Sequence, residues 1–121
     1  MRDLPEPSER YLLDFEAASR ALSALSGRWV GIEVSALGGS GTLLTLAGRL
    51  ERSWSFDCAP RRSLALSAGE ASLRIAESAL ARAILERYRD SRSELEWQLV
   101  AIELRTGVLV EIEEIPSGRY R

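Results

Sequence analysis

Glu111, Glu113 and Glu114 come nearest, by type and spacing, to residues that could do chemistry. In an extended segment Glu111 and Glu113 share one face, with Leu109 and Ile115 in the same parity. Two carboxylates so placed could hold a divalent cation, or divide the roles of acid and base. Such a pair more often forms the solvated face of a strand, where charge discourages edge-to-edge association. Other chemistries close quickly. The chain has no histidine, hence no Ser–His or Cys–His nucleophile, no imidazole base and no imidazole metal ligand. A single cysteine, Cys58, supports neither an internal disulfide nor a structural zinc site. Arg61 and Arg62 lie near it in sequence, but no base does. The GGSG run at 38–41 joins two strand-like segments instead of leading from a strand into a helix. It therefore reads as a turn, not a phosphate loop. No catalytic residue, metal or cofactor is expected.

The basic residues follow a different pattern. All 16 are arginine, and lysine and asparagine are absent, as in a GC-rich coding sequence. Arginine is also the better reader of phosphate and carboxylate. The net charge of −2 argues against broad nucleic-acid affinity. The distribution is uneven, though. Residues 49–92 hold nine Arg against six acids, whereas 94–114 hold six Glu against one Arg. A split of this kind can orient a partner or a second copy of the chain. Trp29 has the parity opposite to Val30, Ile32 and Val34, which places it outside the core. An exposed aromatic flanked by arginines can stack single-stranded bases. The candidate nucleic-acid or partner contacts are therefore Arg28, Trp29, Arg49, Arg52, Arg61 and Arg62. Packing beneath a helix, or at an oligomer contact, is the competing role for Trp29. Trp54 and Trp97 can be read either as core or as surface.

These residues need elements to position them. The chain reads as a single domain over 1–121, with residues 1–7 and 116–121 as flexible ends. Ser8 is a plausible N-cap. Tyr11, Phe15, Ala18, Leu22 and Leu25 recur at steps of four and three, predicting a helix from about 9 to 25. Gly27 sits where a left-handed cap belongs. The central feature is a hairpin from Arg28 to Glu51. Val30, Ile32, Val34 and Ala36 alternate on the way out, and Leu44, Leu46 and Leu50 on the return. Gly48 stands where an inward side chain is missing, which predicts a bulge or sharp bend. This second strand is read as continuing through Trp54 and Phe56 to a loop at 57–62. Further strands are predicted over 63–68 and around Leu73 and Ile75. The helix-forming composition of AESALARAILERYRD predicts a second helix near 77–89, although Leu80, Ile84 and Tyr88 also share a strand's parity. Leu95–Leu104 and Val108–Ile115 form a final hairpin around Arg105-Thr106-Gly107. No apolar run approaches the ~18 residues of a membrane helix. The N-terminus has no signal-peptide pattern, so a cytoplasmic location is expected.

The helix ending at Leu25, GRWVGIEV as a first strand and LTLAGRLERSW as a bent second strand resemble the Sm-like family of SH3-like small β-barrels. The resemblance covers roughly residues 10–76. It implies a small barrel, ring assembly and RNA binding. The chain departs from the family in lacking the Asp-x-x-x-Asn nucleotide-pocket pattern and a clear Arg-Gly near the fourth strand, so RNA contact is carried to no residue. The expected fold is α+β: an N-terminal helix on a strongly bent antiparallel sheet or small barrel of five or six strands, with a second helix. The expected function is a non-enzymatic protein-interaction or assembly module, acting on an unknown protein or on itself as a homo-oligomer. RNA or single-strand binding is the alternative, and no membrane is involved.

Overall fold

A computed structural model describes residues 6–36, 41–58 and 61–116; the side chains of 52–58 and 61 lie outside that description. Most of the predicted flexible ends (1–5 and 117–121) and most of the GGSG turn therefore fall outside the described residues. The elements are β1 (Glu9–Leu13), α1 (Phe15–Ala24), β2 (Trp29–Ala36), β3 (Thr42–Cys58), β4 (Arg61–Ala68), β5 (Ala71–Ala76), β6 (Leu80–Arg89), β7 (Glu96–Leu104) and β8 (Val108–Glu114). A 3-10 turn at Glu77–Ala79 precedes β6. All eight strands form one sheet in the order β1-β6-β7-β8-β2-β3-β4-β5, so it is open, with β1 and β5 at its edges. Each neighbouring pair is antiparallel.

This corrects the expected five- or six-stranded barrel with two helices in three places. The first is the N-terminus. Asp14 is extended (φ −85, ψ −178), and its carboxylate accepts from the Ala17 amide at 2.7 Å. That cap starts the helix at Phe15, and the preceding residues pair with β6 as a strand. Tyr11 matched the helical stripe by spacing alone. The rest of the stripe (Phe15, Ala18, Leu22 and Leu25) is buried as expected. Asp14→Ala should lower stability by about 1 kcal/mol, read as a shifted urea midpoint at constant slope.

The second correction is at 77–89, where β6 replaces the predicted helix. β6 lies between β1 and β7 and buries Ala83, Ile84 and Leu85 in succession, using both faces. Its charges, which look like helical i,i+4 pairs, are cross-strand partners. Arg82 meets Glu103 at 2.7 Å, and Glu86 meets Arg10 at 3.5 Å. Sheet pairing on both sides outweighs helix propensity worth tenths of a kcal/mol per residue. The third correction is closure: the strands stop at two edges and do not meet.

One large core occupies the inner face, where α1 packs. It joins the helix stripe to Val30 and Ile32 of β2, Leu50 of β3, Leu64 and Leu66 of β4, Ile75 of β5, and residues of β6, β7 and β8. Strands from both halves of the sheet thus meet one helix, so the sheet curls around α1. The bend lies in β3. Residues up to Arg49 pair with β2, and those from Leu50 pair with β4. Gly48 sits at the changeover, where a Cβ would lie 2.5 Å from the Gly69 amide nitrogen. Its missing side chain admits the β4–β5 turn. Gly27 (φ +85) closes the helix, and its amide donates to the Leu50 carbonyl at 2.8 Å. Among the described residues no helix is long and apolar enough to cross a membrane.

Candidate interaction surface

Among the described side chains, Arg28 and Arg62 are held in separate ion pairs. Arg28 donates to Glu114 at 2.6 Å, tying the entry of β2 to the end of β8. Arg62 is a clamp. Its Nη1 meets Glu16 of the helix at 2.8 Å, its Nε and Nη2 meet Glu77 at 2.9 and 2.8 Å, and its guanidinium lies 5.3 Å from the Phe15 ring centroid. The hydrogen bond to Glu77 leads in raising the Arg62 pKa, and the same bond holds the Glu77 carboxyl below its usual range. Glu77 therefore supports the fold fully above the ordinary carboxylate range, and that support is lost as pH falls through its depressed pKa. Arg62→Met should remove this part of the acid sensitivity in a pH series of melts. Arg52 stands opposite Leu66, and Arg61 opposite Cys58, in the β3–β4 pairing. Trp29 is 43% exposed on the outer sheet face, directly opposite exposed Arg49. Of the six candidates, only Trp29 and Arg49 are described as an outward cross-strand pair.

Glu111 and Glu113 do share a face, the outer one, because Val110 and Ile112 of β8 enter the inner core. Among the described residues no cluster of acidic or sulfur side chains has the arrangement of a metal site. The pair instead belongs to a ladder across the sheet. One row runs Leu12, Ile84, Ala101, Glu111, Glu33. The next runs Arg10, Glu86, Leu99, Glu113, Gly31. At one end of this face Tyr88 and Trp97 stack, with centroids 5.5 Å apart and planes at 13°, and pack with Leu99 as a small second core. Trp97 is therefore core. Trp54 lies where side chains are not described.

Burial first, and then a 2.9 Å hydrogen bond to Glu86, hold the Tyr88 hydroxyl well above its ordinary value of 10.0. The native chain keeps this proton where the unfolded chain releases it. Stability is thus intact below about pH 10 and falls as pH rises beyond it. An ultraviolet titration should show one tyrosine ionising only as the chain unfolds.

Toward β1 the outer face is more open. Two hollows of about 200 and 360 Å³ share Arg10, Arg82 and Ile84 in their walls; Leu109 and Glu111 border the first and Leu12 the second. Leu12 is 76% exposed, more than any other large apolar residue described. Sequence reasoning missed Leu12, because it sits off the stripe of an expected helix. The signal was Asp14 as an N-cap, which leaves residues 9–13 free to be a strand. A third hollow, of about 270 Å³, lies where β6 and β8 end and β7 begins, and includes the Arg28–Glu114 pair in its wall. No family model, curated protein or solved structure matches this chain.

Proposed function

We propose that this chain is a non-enzymatic protein-interaction module that works through the outer face of its sheet near β1. The observation that carries this reading is the contrast between the two faces. The inner face is filled by α1 and a continuous core, whereas the outer face presents Leu12 in solvent beside a hollow floored by Ile84 and Ala101. Exposed apolar surface rimmed by polar residues is a mark of interaction sites. Arg10, Arg82, Glu86, Glu103 and Glu111 supply the rim. Leu12→Asp changes a solvent-facing side chain on an edge strand, so the fold should persist. Immobilised wild-type chain should retain a defined protein from native extract, or its own soluble copies, and Leu12→Asp should not. Equal retention by both, or none by either, removes the reading.

A second reading, single-stranded nucleic-acid binding, is favoured by the outward pairing of Trp29 with Arg49. It requires affinity that falls steeply with salt and drops on Trp29→Ala. Salt-independent or absent binding to mixed RNA removes it.

A further inference from the structure

The outer face is bipolar across its strands, and we infer that its occupant is a second copy of this chain, packed face to face about a two-fold axis running along the strands between β6 and β7. This rests on the interaction-module reading above and names the partner. A two-fold interface uses the same patch twice, so the patch must complement itself. Here it does. Cations stand on the β1 side, with Arg10 on β1 and Arg82 on β6. Carboxylates stand on the β8 side, with Glu103 on β7 and Glu111 and the buried Glu113 on β8, while Glu86 of β6 stands among the cations, paired with Arg10. The proposed axis sets β1 of one copy over β8 of the other, and β6 over β7. Arg10 then comes over β8, within reach of Glu111, the partly exposed carboxylate of that strand (Glu113 is buried), and Arg82 faces Glu103.

The charges also choose the axis. An in-plane axis perpendicular to the strands would stack β8 on β8, bringing its carboxylates onto those of the other copy. That juxtaposition disfavours association. Arg10 is 61% exposed despite its 3.5 Å contact with Glu86, and Arg82 is 52% exposed despite its 2.7 Å contact with Glu103. A guanidinium has five N–H donors, so each can keep its own carboxylate and take another. Shape agrees with charge. In this arrangement Leu12 is the knob, and it comes down beside Glu111 of the other copy, at the edge of the hollow that Ala101 and Leu109 line. Sheets packed by their faces lie about 10 Å apart, near enough for these side chains to interlock.

Sedimentation velocity over a micromolar-to-millimolar series tests this on the full chain. Wild type should pass from monomer to dimer. Arg10→Glu and Glu111→Arg should each weaken the dimer at least about tenfold, with melting curves confirming that both fold. Mixed in equal amounts, the two variants should regain wild-type dimer, because each contact in the mixed pair again joins opposite charges. A wild type that stays monomeric throughout overturns the inference. So does a dimer indifferent to Arg10→Glu, or variants that fail to complement each other. A monomeric wild type that still retains another protein, lost with Leu12→Asp, sinks the second copy alone. A monomer that retains nothing sinks the interaction-module reading as well.

Discussion

Gly48→Ala is expected to destabilise the chain by about 2 kcal/mol or more, the range for forcing a group into packed surroundings. The added Cβ would sit 2.5 Å from the Gly69 nitrogen and 3.0 Å from the Ala68 carbonyl carbon. Both are backbone atoms, so no side chain can swing aside. Either the β4–β5 turn retreats or β3 loses its bend, and Leu50, Leu64 and Leu66 then separate from the helix they share. Gly31→Ala is the matching control. Its Cβ would meet only Ile115 Cδ1, at 3.5 Å, an ordinary contact. That change should be neutral or mildly stabilising, since glycine in a strand is entropically costly. Urea denaturation of the two variants separates a packing role for Gly48 from a general effect of glycine. Equal midpoints would remove the account of the bend.

Trp97→Ala is expected to cost about 3 kcal/mol or more. Trp97 is buried against Tyr88 and Leu99 on the face that α1 does not cover, so its removal opens a hole beside a stacked ring. The variant has a second readout. Burial leads the causes that hold up the Tyr88 pKa. Uncovering the ring should let Tyr88 ionise closer to its ordinary value while the chain is still folded. Trp29→Ala, at a position 43% exposed, should cost under about 1 kcal/mol. If Trp97→Ala leaves Tyr88 titrating as before, the small outer core is not what shields it.

Local pattern accounts for what could be read in advance. The alternation in 29–36 and in 108–114 gives β2 and β8, and Gly107 (φ +89) serves the tight turn between β7 and β8. Gly48 was legible as a bend because an inward position lacked a side chain. The turn it admits was not, since Gly69 is distant in sequence. The strand order was illegible for the same reason. β2 pairs with β8, and β1 with β6, across most of the chain, and neither pairing leaves a mark on a short window. β6 misled because alanine, leucine, glutamate and arginine favour helix locally, while its two neighbours exist only in the fold. The candidate surface was half visible. Parity placed Glu111 and Glu113 together, but their relation to Arg10 and Leu12 arises from long-range pairing. Of the arginines read as candidate contacts, Arg28 and Arg62 are held in ion pairs at separate places in the fold, with Glu114 and with Glu16 and Glu77.

The most direct measurement is the mass in solution by light scattering on a sizing column, loaded over a range of concentrations at low and at high salt. The ultraviolet ratio that separates nucleic acid from protein is recorded on the same peak. The account expects a nucleic-acid-free peak whose mass climbs from the 13.4 kDa monomer toward twice that value as loading rises. It also expects the climb to be weaker at high salt, because the rim charges are partly screened. A monomer mass at every loading would contradict self-association. A peak carrying nucleic acid that high salt strips away would contradict the protein-interaction reading itself.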